Sequence, residues 1–100
     1  MEVFYSRRAE HDLEEIYRRI DSDSHDRAVR YMQELGDYIL SLGEFPELGA
    51  FCRYEELASL GIRVLIKDNY IIFYKIKAEK NQIMIVRVLH GATNYRNLIK

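Results

Sequence analysis

Three histidines, one cysteine, a knot of carboxylates and eight tyrosines are the side chains that could do chemistry here, and their spacing decides how much. His11, His25 and His90 lie far apart and share no ligand spacing, so they point to no metal site. Cys52 alone can form neither an internal disulfide nor a thiolate cluster, which fits a reducing compartment. Asp12, Glu14 and Glu15 would suit an acid/base pair, but neighbouring carboxylates on a helix more often form a solvated face. The five glycines, at 36, 43, 49, 61 and 91, stand singly, so no glycine loop cradles a phosphate. His90 follows the mostly apolar stretch Ile83 to Leu89, interrupted by Arg87, and precedes Gly91. An imidazole in that place could move a proton, although at a strand end it more often makes a structural hydrogen bond. Tyr17, Tyr31 and Tyr38 fall on apolar helical stripes and belong to the core, whereas Tyr54, Tyr74 and Tyr95 are placed to line a partner groove.

What must position these groups is one domain, spanning residues 1–100. A chain of this length buries roughly two-thirds of its unfolded surface. With 48% hydrophobic and 31% charged residues it is globular, and one proline leaves no room for a flexible linker. The N-terminal segment has no apolar signal core and the longest apolar run, Tyr70 to Tyr74, is too short to span a bilayer, so a cytoplasmic protein without a membrane partner is expected. A net charge of -1 conceals a division: six arginines face twelve acids in residues 1–50, and nine basic groups face four acids in residues 51–100. A basic second half could meet a polyanion or an acidic partner; solvated charges on outward strand positions are the plainer alternative.

Val3-Phe4-Tyr5 predicts a short strand stopped by Ser6, a good helix cap. Ala9, Leu13, Ile16, Tyr17 and Ile20 then mark one face of a helix, broken by Asp21-Ser22-Asp23-Ser24. Ser24 can cap a second helix whose apolar positions run from Ala28 to Leu42, with Gly43 as a left-handed terminator and Pro46 beyond it. Ile62 to Lys67, Tyr70 to Ile76 and Gln82 to Leu89 read as strands, the first two joined by the tight turn Asp68-Asn69 and the last two by a looser one over Lys77 to Asn81. Ile71, Ile72 and Phe73 are apolar on both faces, so something besides the helices must cover the sheet. Residues 44–61 are poorly readable, with 53–57 an extra short strand or turn. The expected fold class is α+β, an N-terminal strand and two-helix hairpin on one face of an antiparallel sheet completed by a C-terminal three-stranded meander.

That order of elements, together with Ala9, Asp12-Leu13, Ile16-Tyr17, Pro46, Gly49, Gly61-Ile62-Arg63, Tyr70 to Tyr74 and Val86-Arg87-Val88-Leu89-His90-Gly91, resembles the ParE/RelE family of bacterial toxins. The resemblance implies the RelE/ParE-like fold and the toxin half of a type II, plasmid stabilisation-type toxin–antitoxin pair, silenced by a small antitoxin that wraps it. The Leu89-His90-Gly91 ending is closer to the ParE-like branch, which implies an inhibitor that binds DNA gyrase and makes no bond cleavage of its own. The alternatives implied are a RelE-like, metal-independent endoribonuclease cutting messenger RNA on the ribosome, or a member that has lost toxicity.

For a ribonuclease, His90 and Tyr95 would serve proton transfer while Arg63, Lys67 and Arg87 hold phosphates. Against it stand the near-neutral charge and Ala92-Thr93-Asn94, where the family leads one to expect a further cation. The resemblance therefore implies no catalytic set and no cofactor. The partner-binding set is Arg63, Lys67, Tyr74, Arg87, His90, Asn94, Tyr95 and Arg96, with an antitoxin's acids near Arg63, Lys67 and Arg87.

Overall fold

The computed structural model describes residues 1–99, so Lys100, one of the basic groups of the second half, lies outside the described residues. Strand β1 (Glu2–Tyr5) leads into helix α1 (Arg7–Asp21) and its antiparallel companion α2 (His25–Leu40). Both helices start on a serine: Ser6 Oγ accepts the Ala9 N–H and Ser24 Oγ accepts the Arg27 N–H, each satisfying an N–H that has no partner within the helix. A 3₁₀ turn (Ser41–Gly43) ends α2. Strand β2 (Ala50–Phe51) and the single-turn helix α3 (Glu55–Ala58) follow, and then the meander β3 (Arg63–Lys67), β4 (Tyr70–Lys77) and β5 (Gln82–His90). None of these helices is long and apolar enough to cross a membrane.

The strand order is β1-β5-β4-β3-β2. All neighbours are antiparallel except β1 and β5, which run parallel with Val3 opposite Ile83 and Tyr5 opposite Ile85. The sheet is therefore mixed, where an antiparallel one was expected. Parallel neighbours are joined by a long crossover rather than a turn. Here everything from α1 to β4 is that crossover, so no local signal ties β1 to β5. The β3–β4 turn is tight as expected, with Lys67 opposite Tyr70, but only Asp68 takes positive φ. Asn81 closes the looser turn with φ 54°.

One apolar layer lies between the sheet and the helices. Ala9 and Ile16 from α1 and Leu35 and Ile39 from α2 meet Leu65, Ile72, Tyr74, Ile83, Ile85 and Val88. Leu35, Ile39 and Leu42 are wholly buried, and each such side chain contributes about 1.5–3 kcal/mol. Tyr31 and Tyr38 pack against this layer half-buried, while Tyr17 lies outside it with its hydroxyl 3.3 Å from His25 Nδ1. Gly43 is not left-handed; its role is close approach, since a Cβ there would collide with the Met1 carbonyl oxygen.

The second face of the sheet carries its own layer. Phe73 is fully buried beneath Cys52, Leu57, Ile62 and Ile99, with Tyr54, Val86, Leu89 and Tyr95 packed around them. The face expected to await a partner is thus largely covered by α3 and the C-terminal tail. Residues 53–57 form the approach to α3 and most of that helix, not a strand. A bulge sets the geometry of β5: the register passes from Phe73 opposite Arg87 to Tyr74 opposite Ile85, leaving Val86 as the extra residue. Ile85 and Val88 consequently face the helices while Val86 and Leu89 face the second layer.

Candidate functional site

β1 covers β5 only as far as Ile85, because Ser6 turns the chain out of the sheet into α1. Beyond that point side chains take over the open edge of β5. Ser6 Oγ donates to the Val86 carbonyl at 2.8 Å, and the Asp12 carboxylate accepts the Val88 N–H at 3.0 Å. Arg87 neutralises Asp12 with two hydrogen bonds, Nε at 2.8 Å and Nη2 at 2.9 Å. Asp12 is 6% exposed, so it belongs to no solvated face. Arg87, expected to meet phosphates or an antitoxin's acids, is held by Asp12, whose hydrogen bonds raise its pKa.

Arg63 and Tyr74 tack the 46–51 loop onto the sheet. Tyr74 is wholly buried and does not line a groove: its hydroxyl accepts the Gly49 N–H at 2.9 Å and donates to the Pro46 carbonyl at 2.7 Å. The alternation Tyr70, Ile72, Tyr74 turns all three toward the helical layer. Arg63 donates from Nη1 to the Gly49 carbonyl at 2.7 Å and stacks 4.2 Å over the Phe51 ring. Lys67 stands between the Tyr31 and Tyr38 rings at 5.8 Å from each, with its Nζ 3.6 Å from Asp68.

His90 closes β5 opposite Tyr70, its ring edge-on to that phenol at 5.8 Å. Its Nδ1 accepts the Ala92 N–H at 3.1 Å, so the proton of the neutral ring lies on Nε2. Tyr95 rests 4.7 Å from the Phe73 ring and 5.7 Å from the Tyr54 ring. Arg96 binds Glu56 and lies 4.7 Å over Tyr54. Asn94 and Arg96 are exposed. Of the residues named for a ribonuclease, Arg87 is engaged by Asp12 and Arg63 by the Gly49 carbonyl, while His90 and Tyr95 border the outer surface of the sheet.

What the fold does bring together is an outer surface between β3, β4 and the tail. Two depressions of about 340 and 280 Å³ share Ile66, Ile71 and Gly91. Val64 and Phe51 extend the apolar floor, and Arg53, Tyr95, Asn69 and His90 stand on the rim. Ile66 is 63% exposed and Phe51 56%. An apolar floor with a polar rim is the anatomy of a protein-docking surface. The sequence reading missed Ile66 and Phe51; the signal was an isoleucine on the outward side of β3, beyond the reach of β2.

A family model described as the ParE toxin of the type II toxin–antitoxin system, parDE, matches residues 3–95. No curated protein matches. Among solved structures, a chain of the chromosomal ParDE toxin–antitoxin system from P. aeruginosa is similar with a TM-score of 0.71 at 22% identity, over 90% of this chain and 95% of that one. A chain of the toxin–antitoxin complex RelBE2 from Mycobacterium tuberculosis is similar with a TM-score of 0.66 at 22% identity, over 89% of this chain and 95% of that one. At this identity the two likenesses show the fold.

Proposed function

The chain belongs to the ParE toxin family of type II toxin–antitoxin systems, and from that membership we propose that it acts by binding DNA gyrase and is neutralised by a cognate antitoxin. The observation that carries the binding mode is the Ile66–Ile71–Gly91 surface, where large apolar side chains stay in water on a rigid three-stranded meander. Such exposure is costly for a solitary protein and useful for one that docks. Binding inhibition asks only for a complementary surface. Cleavage of RNA would need a base, an acid and cations on one phosphate, and the engagement of Arg87 by Asp12 and of Arg63 by the Gly49 carbonyl speaks for binding.

Both neighbouring structures are described as toxin–antitoxin systems or complexes, which supports an antitoxin as the natural partner. Its acids would meet Arg63 and Lys67, whose side chains are only partly buried. Arg87 drops out of that set because Asp12 already neutralises it. The test is induced production in growing bacteria. Plasmid DNA should shift toward relaxed topoisomers while messages stay full length in primer extension, and co-production of the antitoxin should restore growth. Messages cut within codons, with plasmid topology unchanged, would replace this reading with the ribonuclease.

A further inference from the structure

On the edge opposite β2, where α1 leaves the sheet, lies an open cleft of about 520 Å³ lined by Arg7, Arg8, His11, Asp12 and Arg87. Its composition is unlike that of the docking surface: every lining residue is ionisable and none is apolar. Residues three and four apart share a helix face, so Arg7 neighbours His11, and Arg8 neighbours both His11 and Asp12. Asp12 is the one carboxylate lining the cleft and is engaged by Arg87 and the Val88 N–H, while Glu15 stands beside it, 3.8 Å from His11 Nδ1. Arg7 and Arg8 are exposed and, among the described residues, in no ion pair, so the cleft keeps excess positive charge. They also open α1, where the helix dipole disfavours cations. That breach of a local rule has no compensating contact in the fold.

We propose that this cleft binds the phosphodiester backbone of a nucleic acid. Arginine forks match phosphate and carboxylate alike, so the lining must choose between a nucleic acid and an acidic peptide. Peptide and protein interfaces gather their affinity around buried apolar anchors, which this cleft lacks. A phosphate backbone is held chiefly by cations and the hydrogen bonds they donate, which exposed arginines supply. The gyrase reading is not required, because the assay contains no gyrase.

The experiment is fluorescence anisotropy of a labelled duplex DNA and of a labelled single-stranded RNA, each titrated with the full chain across a range of salt. Arg7→Gln with Arg8→Gln should weaken binding about tenfold and flatten the slope of log K against log salt by about 1.8 for the duplex and about 1.4 for the single strand, the loss of two phosphate contacts. Arg18→Gln with Arg19→Gln, an equal charge change at the far end of α1, should alter neither. Tighter binding of one probe identifies its source. All four positions are exposed, and matching thermal melts check that the variants fold. No binding of either probe at low salt, equal losses in the two double variants, or displacement of both probes by a poly-glutamate peptide at lower concentration than by unlabelled DNA would each overturn the proposal.

Discussion

Asp12 and Arg87 meet in paired hydrogen bonds of 2.8 and 2.9 Å at the place where β1 stops covering β5, and Asp12 accepts there the Val88 N–H that another strand would have taken. The carboxylate is 6% exposed and the guanidinium 15%. Removing one partner of such a pair strands the other's charge, so Asp12→Ala should cost about 3–5 kcal/mol. Asp12→Leu with Arg87→Met removes both charges and should recover much of that, leaving about 1–3 kcal/mol for the unsatisfied Val88 N–H. Urea unfolding of the single and double variants measures both. A double variant no more stable than Asp12→Ala would mean that the pair is not what Asp12 contributes.

Gly36 and Gly49 should respond to alanine in opposite directions. Nothing approaches a Cβ at Gly36 in the interior of α2, so Gly36→Ala should stabilise by about 0.5–1 kcal/mol. A Cβ at Gly49 would strike the Val64 carbonyl oxygen and would stand 2.8 Å from the Tyr74 ring. Gly49→Ala should therefore lift the 46–51 loop and cost about 1–3 kcal/mol. Thermal melts of the two variants, with hydrogen exchange at the Gly49 N–H, report the contrast.

The fold should weaken in alkali. Burial pushes the Tyr5, Tyr31 and Tyr74 phenols up from their ordinary value of 10.0, with the Asp68 hydrogen bond adding to the rise at Tyr31 and the Gly49 N–H and Arg63 partly offsetting it at Tyr74. A raised pKa means that the folded state holds the proton longer. The stabilisation is therefore complete below about pH 10 and is lost as pH climbs through the folded values. Urea midpoints measured from neutral to alkaline pH should fall above about pH 10, and less steeply in Tyr31→Phe.

Ile66→Asp separates docking from folding. With 63% of Ile66 exposed, the charge should move stability by no more than about 0.5 kcal/mol. It places a carboxylate in the centre of the apolar floor, so gyrase inhibition should fall by tenfold or more, about 1.4 kcal/mol or above. Full inhibition by a folded Ile66→Asp protein would move the docking surface elsewhere.

The helices and the meander were legible because long stripes with capping serines, and alternating runs joined by Asp68-Asn69, are local signals. The placement of β1 was not, since a parallel partner 80 residues away in register leaves no trace in the turn chemistry of either strand. Residues 44–61 were opaque because a 3₁₀ turn, a two-residue strand and a single-turn helix are too short to show a period. At the site, Asp12 was misplaced among its exposed neighbours Glu14 and Glu15, although it stands three after Ala9 and four before Ile16, on the buried stripe itself. Tyr74 was misplaced as a groove residue although it alternates with buried Tyr70 and Ile72. In both cases periodicity outranked residue type. The side of the sheet that Arg87 faces depended on the bulge at Val86, and the place of Tyr95 on the path of the tail; neither has a sequence mark.

The most direct test of a toxin that binds rather than cuts pairs two assays on one purified preparation: supercoiling of relaxed plasmid by DNA gyrase, and the integrity of messenger RNA on programmed ribosomes. Supercoiling should be lost as the protein is added and restored by its antitoxin, with the message left whole. Intact supercoiling together with cleaved message, slowed about a hundredfold in His90→Ala, would contradict the account and make the chain a ribonuclease.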